Sequence, residues 1–344
     1  MSRRPRRPVG DSSPATTSER SRQLPRRSIL TAASATLAAT AGCTDLLEDG
    51  SSLAEPIVDA VPADATVLVR IDPDATDPDE FERLRGELAA VDSERLDVET
   101  GLARLEDRTG FTSLETDGLL LFDGPSVDDP DDGGPPVDAV FEGEWSDAEV
   151  VTGLEDGTDL AYEQRTYQDE PVLYEPVGDG TEQPPTLGVH GNGRYVLGSE
   201  TGVRASLATR YDEADEPSGS IRDAYDDARD VPVTFAVEPI GSLVPEGYEL
   251  LLPPGGTDAL EGVSSVGVSV DGLESGVELL VGFRTTGDAD ELEEILRGTI
   301  ALLAETDEEH GDQLQAATVE RDGDVVELAY DGDPEPVLSL FDEV

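Results

Sequence analysis

Lysine is absent from this chain of 344 residues; all 23 basic residues are Arg, against 78 Asp and Glu. Without Lys, no phosphate-binding loop ending in Gly-Lys-Ser or Gly-Lys-Thr can exist. A single Cys excludes an intrachain disulfide framework and a Cys-based zinc site. His is nearly absent too. His190 and His310 stand far apart, which excludes a His-rich metal site and a His-Glu-x-x-His helix. His190 is expected at a strand end and His310 in a polar loop, neither with a catalytic task. No Gly-x-Ser-x-Gly nucleophile turn occurs. Gly198-Ser199-Glu200-Thr201-Gly202 has its Gly and Ser misplaced for one, and Ser199 reads as a helix N-cap. With no basic patch in the body of the chain, phosphates would be repelled, so nucleic acid is excluded as a partner.

What is present is acid, and it is unevenly divided. Residues 1–43 hold eight Arg and two acidic residues, a net of +6; residues 44–344 hold 15 Arg and 76 acidic residues, a net of −61. Such charge has three readings. Disorder is contradicted by patterned apolar segments along most of the chain. A cation-binding or polybasic-partner surface would gather the acids in one tract, whereas they are spread over nearly every segment. Adaptation to molar salt fits better, because the Debye length falls to about 3 Å at 1 M and self-repulsion is screened. Arg without Lys suits that reading, although a GC-rich genome would favour Arg codons as well.

The first 43 residues carry three parts in the order an export signal needs. A charged part ends in Pro25-Arg26-Arg27-Ser28-Ile29-Leu30. A weakly apolar stretch runs from Ile29 to about Thr40, short of the roughly 20 residues of a spanning helix. Thr40-Ala41-Gly42 then leads into Cys43. The segment resembles a twin-arginine lipoprotein signal, and its end resembles a lipobox, with Thr40 where Leu is more usual. The resemblance implies recognition of Arg26 and Arg27 by the twin-arginine translocase, cleavage before Cys43, and a membrane anchor through a lipid on the Cys43 thiol. A buried, unmodified Cys43 and an uncleaved anchor are the alternatives. The expected address is the outer face of the cell membrane. Residues 44–60 read as an acidic flexible tether reaching no more than about 60 Å at roughly 3.3–3.6 Å per residue.

Beyond the tether, β-branched runs bounded by turn residues predict strands, and capped apolar stripes predict helices. Strands are expected over Thr66–Ile71, Gly118–Phe122, Val137–Glu144 and Val231–Val237. Hairpins are expected from Leu160–Thr166 with Pro171–Glu175, from Leu187–His190 with Arg194–Leu197 around Asn192-Gly193, from Val263–Val270 with Val277–Thr285, and from Gln313–Glu320 with Asp324–Tyr330. Asp77-Pro78-Asp79-Glu80 and Ser146 with Glu149 announce helix starts, as does Asp288 with Glu291. Further helices are expected over residues 98–110, 201–210 and 220–229, with a short terminal one carrying Val337, Leu338 and Phe341. Residues 128–136 and 239–256 read as Pro/Gly-rich passages. The fold class is therefore α+β, with mainly antiparallel sheets and helices packed on one face. An α+β domain is expected over 61–238, with a second α+β unit over 257–344 packed on it. Strand, capped helix and hairpin recur from Val137 to Glu175 and from Val277 to Tyr330, a pattern that internal duplication and chance recurrence of capping residues explain equally well.

Two further patterns are weighed as sites. Asp72-Pro73-Asp74-Ala75-Thr76-Asp77 lacks the sixth-position Gly of a calcium loop and has Arg83 in place of its final Glu, so a capped turn is expected and no metal site. Tyr162, Tyr167 and Tyr174 offer an aromatic face or, more simply, sheet packing. Three segments carry a family resemblance: Val61-Pro62-Ala63-Asp64-Ala65, Leu105-Glu106-Asp107-Arg108-Thr109-Gly110-Phe111, and Gly193-Arg194-Tyr195-Val196-Leu197-Gly198-Ser199. In these the chain resembles uncharacterised twin-arginine-exported lipoproteins of halophilic archaea, and it is faintly similar to a bacterial domain-of-unknown-function family of exported proteins. The expectation is a non-enzymatic surface lipoprotein, a binding or envelope-interaction module needing no cofactor. Its rival is a solute-binding lipoprotein serving a transporter, and a hydrolase built on carboxylates ranks third.

Overall fold

The computed structural model describes residues 56–75, 77–89, 98–110, 112, 115–123, 137–178, 184–228, 231–239, 256–272, 276–306, 311–334 and 337. The chain divides into two compact units, Met1–Ser51 and Ser52–Val344, and the described residues all belong to the second. Arg26, Arg27 and Cys43 lie outside the described residues, as do Val91, the 128–136 loop, most of the 239–256 passage, His310, and the terminal helix apart from Val337.

After a 3₁₀ turn at Ile57–Ala60 come β1 (Val67–Ile71), α1 (Pro78–Ala89), α2 (Val98–Thr109), β2 (Gly118–Asp123), β3 (Val137–Glu142) and α3 (Asp147–Thr158). Then follow β4 (Ala161–Tyr167), β5 (Glu170–Val177), β6 (Thr186–Gly191), β7 (Arg194–Gly198), α4 (Glu200–Arg210) and α5 (Ser220–Asp227). The remainder is β8 (Val233–Val237), α6 (Gly256–Glu261), β9 (Val263–Gly272), β10 (Val277–Thr285), α7 (Ala289–Thr306), α8 (Gly311–Ala316), β11 (Thr318–Asp322) and β12 (Val325–Gly332).

Local chemistry accounts for many of these boundaries. Ser146 and Glu149 form a full capping box at α3, Ser199 accepts from Gly202 N–H at α4, and Asp288 accepts from the amides of Asp290 and Glu291 at α7. Asp77 accepts from Asp79 N–H at α1, the cap its sequence announces, and Pro73–Ala75 ahead of it form a 3₁₀ turn. The β6–β7 turn places Asn192 and Gly193 at φ 56° and 78°, the left-handed pair a two-residue hairpin demands. Helices α6 and α8 were not foreseen, because six residues are too few to show a period; residues 313–316, expected as the first half of a strand, belong to α8, and β11 starts only at Thr318.

The strands form one antiparallel sheet in the order β11-β12-β10-β9-β8-β1-β2-β3-β7-β6-β5-β4. Outward from its centre the sheet reads twice alike. From β1 the first, second, third, last and penultimate strands of one half follow (β1, β2, β3, β7, β6); from β8 the same succession runs β8, β9, β10, β12, β11. The counterpart of the β11–β12 hairpin is thus β6–β7, and the β4–β5 hairpin is an addition to the first half. The units expected at 61–238 and 257–344 share this sheet, since β8 and β9 pair from Val233↔Val270 to Val237↔Val266.

Cross-strand register identifies the two faces, because directly paired residues point the same way. One row runs Tyr195–Phe141–Leu119–Ile71–Val233–Val270–Leu279–Tyr330, all of it buried. Trp145 at the entry to α3 meets the Tyr195 end, and α8 meets the Tyr330 end. The opposite face carries Gly188, Val196, Val140, Leu120, Arg70, Thr234 and Ser269 in register. Val203 and Leu207 of α4 press on Gly188, while the carbonyl of Ala228, just after α5, accepts from Thr234 Oγ1 at 2.6 Å. The α4–α5 layer therefore lies on the side opposite α3 and α8, an addition to the expected arrangement of helices on one face. Its physical reason is that β1, β2, β3 and β8 bury residues on both faces, and a strand buried on both sides needs cover on both.

Candidate functional site

The second layer is incomplete. Helix α4 covers β6 and β7, the 3₁₀ turn Ile57–Ala60 covers β2 and β3, and α5 covers β8 and β9; there the layer stops, leaving the same face of β10 and β12 open. Alternation along β10 buries Val277, Leu279, Val281, Phe283 and Thr285, and turns Glu278, Leu280, Gly282 and Arg284 outward. A groove of about 250 Å³ forms where this outward face meets the end of α5, with Ala224, Asp227 and Ala228 as its wall and Leu280, Gly282 and Val325 in its floor. Arg284 spans it. Nη2 donates to Asp227 Oδ2 at 2.7 Å and Nη1 to Asp324 Oδ2 at 3.1 Å, tying the helix to the β11–β12 turn. Its Nε is buried without a hydrogen-bond partner.

The groove is smaller than the roughly 300–1,000 Å³ of small-molecule sites. Glu327, Asp322 and Asp227 give it an acidic surround, while Leu280 stands 39 % exposed in the floor. This combination suits a surface contact of mixed apolar and cationic character better than enclosed chemistry. A signal for it was present in the sequence: Leu280 is an apolar residue on the polar phase of an alternating strand.

A second feature escaped the sequence reading. Asp138 sits in β3 with no exposed surface, beneath the start of α4. Its Oδ1 accepts from Ser199 N–H at 2.7 Å and its Oδ2 from Ser199 Oγ at 3.3 Å. A Cβ on Gly202 or on Gly198 would run into the carboxyl, so these glycines make room for it. Burial pushes the carboxyl from 3.8 up to about 7, more than the Ser199 hydrogen bonds pull it down; the charge of Asp123 adds a smaller upward push. The available clue was an acid set within Val137-Asp138-Ala139-Val140-Phe141.

His190 ends near β7 and α4, where its Nε2 lies 2.9 Å from Ser206 Oγ. Ser206 in turn donates to the carbonyl of Ala60. With that proton committed, the imidazole serves as donor and the pair is a structural tie rather than an activated nucleophile. Burial, then the charges of Arg194 and Arg210, push His190 down to about 3, which keeps it neutral.

The three tyrosines do not make one face. Tyr162 and Tyr174 lie on the side of Leu187, with Tyr162 donating to the Pro185 carbonyl. Tyr167 instead meets Tyr211 at 5.6 Å between ring centroids and donates to Glu213. Among the described residues, no group of three or more His, Cys, Asp and Glu side chains could hold a metal ion, and no helix is long and apolar enough to cross a membrane.

No protein-family model matches the chain, and no curated protein matches it. Among solved structures the chain is similar to TP0453. Crystal form I aligns with a TM-score of 0.45 and 12% identity, covering 83% of this chain and 96% of that one. Crystal form III aligns at 0.44 and 11%, covering 83% and 98%. A likeness this distant carries no argument about function.

Proposed function

We propose that this chain is an exported surface lipoprotein of the halophilic archaeal type, a non-enzymatic module that binds a partner at the envelope. The observation that carries the proposal is the order of Arg26-Arg27, a short apolar stretch and Cys43, placed where net charge turns from +6 to −61. The translocase is its partner in transit, and the membrane is its partner afterwards, through a lipid on Cys43. The open β10–β12 face beside α5 is the surface offered for contact. The rival, a solute-binding lipoprotein of a transporter, calls for two doubly wound lobes with parallel βαβ units. The strand pairings among the described residues are antiparallel.

The test is expression with the leader in a host that has a twin-arginine translocase. The protein is expected in the membrane fraction, with a first peptide that starts at Cys43 and carries the mass of a lipid. Cys43→Ser releases it from the membrane, and replacing Arg26 and Arg27 together by Lys retains it inside the cell. An intact leader with a free thiol on a membrane-bound protein sinks the proposal.

A further inference from the structure

Asp138 stands out because α4, the helix above it, holds so much else. Arg204 of α4 binds Glu175 of β5 at 2.6 Å, and Arg210 binds the Val189 carbonyl at 2.6 Å and Glu170 at 2.9 Å. Ser206 on the same helix holds Ala60 and His190. Helix α4 therefore anchors the added β4–β5 hairpin and the 3₁₀ turn along its middle and far end, while its start rests on Asp138. That start is closed over a carboxyl that has no exposed surface and takes both of its hydrogen bonds from one residue, Ser199.

The groups around the carboxyl are few. From β2, Asp123 is the charged neighbour whose field reaches it, and Asp123 is itself engaged by the amides of Thr66 and Val67. From α4 come uncharged Ser199 and Gly202; the first-turn acid, Glu200, is exposed and bonded to Arg204. From β7 comes Gly198, which leaves no space for water between strand and carboxyl. No cation among the described residues is bonded to Asp138. An ionised carboxylate here keeps two hydrogen bonds and the favourable end of α4, yet lacks the solvation it would have outside.

We infer that Asp138 is a proton-controlled latch on α4. Protonated, it lets the first turn of α4 close over the sheet. Ionised, it favours lifting of that turn to admit water, and through Arg204, next to the turn, it loosens the hold on Glu175 of the β4–β5 hairpin. Because the carboxyl is buried, molar salt does little to screen the effect. The titration runs from the ordinary value of 3.8 in the open form to about 7 in the closed form. Between those values each pH unit shifts the closed–open equilibrium toward open by about tenfold, and above about pH 7 the shift ends.

Amide hydrogen exchange on the full chain in molar KCl, from about pH 5 to about pH 8.5 and corrected for intrinsic base catalysis, reads this directly. The opening constant of the α4 amides is expected to rise about tenfold per unit and level off near pH 7, while α7 amides stay flat. Asp138→Asn flattens α4. An α4 response absent in the unaltered chain, shared equally by α7, or retained in Asp138→Asn overturns the latch. Should Asp138→Asn fail to fold, Ser199→Ala serves instead. It removes a donor to the carboxylate and moves the levelling point to higher pH, and an unmoved levelling point likewise overturns the latch.

Discussion

Tyr195 and Tyr330 stand at opposite ends of one cross-strand row, each in the last strand of its half of the sheet, and each gives its hydroxyl to the segment lying over that end. Tyr195 donates to the Trp145 carbonyl at 2.7 Å, ahead of α3; Tyr330 donates to Gln313 Oε1 at 3.0 Å, in α8. The two positions match in strand, in face and in task, so the repeat in strand order extends to side chains.

The two hydroxyls differ in what their loss leaves behind. Tyr195→Phe removes hydrogen bonds to the Trp145 carbonyl and to Asp147 Oδ1, whereas the side-chain oxygen of Gln313, an exposed residue, still accepts from Asp333 N–H and can turn to water. The first substitution is expected to cost about 1–2 kcal/mol and the second about 0.5–1 kcal/mol. Urea unfolding in molar KCl measures both. The double variant should be additive within about 0.5 kcal/mol, since the residues share no partner.

Gly202 and Gly298 make opposite predictions from the same substitution. Both lie in helices, but a Cβ at Gly202 meets the Asp138 carboxyl and one at Gly298 meets nothing within 4 Å. Gly202→Ala is expected to lose about 2–3 kcal/mol through forced displacement of the carboxyl or of α4. Gly298→Ala is expected to gain about 0.5–1 kcal/mol from helix propensity. Equal effects of the two would contradict the packing described for Asp138.

These contrasts mark what could be read in advance. The caps at Ser146, Ser199 and Asp288 and the Asn192-Gly193 turn were legible because each depends on residues within four positions. The α+β class was legible for the same reason, as the sum of local periods. Adjacency of β1 and β8 was not, since it joins residues some 165 positions apart through backbone bonds that any side chains permit. The double-sided burial of β2 was visible as Leu119-Leu120-Leu121-Phe122, yet its second cover comes from the 3₁₀ turn Ile57–Ala60, four residues too short to carry a mark of their target. Asp138 was hidden by its company. In a chain with 78 acids, one buried carboxyl has no compositional signature.

His190 predicts an acid limb to stability. Its imidazole is held at about 3 in the folded chain against an ordinary value of 6.5. Between those values the unfolded chain binds the proton and the folded chain does not, so stability falls as pH drops from about 6.5 toward 3 and is flat above. His190→Gln keeps a donor for Ser206 and cannot take the proton. Its urea midpoint should therefore lie below that of the unaltered chain at neutral pH and converge on it as pH falls toward 4. A difference between the two that stays constant across that range would mean His190 remains ionisable in place.

Salt dependence follows from the distribution of Arg. Residues 44–344 hold 15 Arg for 76 acids, and several of those Arg are already shared between two carboxylates. Arg222 meets Asp59 at 2.8 Å and Asp226 at 3.1 Å, and Arg284 divides itself between Asp227 and Asp324. Such half-exposed pairs contribute roughly 0–1 kcal/mol each, too little to offset repulsion among the many unpaired acids. Screening must do the rest: the Debye length is about 3 Å at 1 M salt and about 10 Å at 0.1 M. The melting temperature and the circular-dichroism spectrum are therefore expected to deteriorate together on dialysis from molar to 0.1 M KCl. Choline chloride at the same ionic strength should restore both as well as KCl does, because screening needs no particular cation. Restoration by KCl alone would point to bound potassium instead, and a spectrum unmoved by dialysis would remove the halophilic reading of the charge.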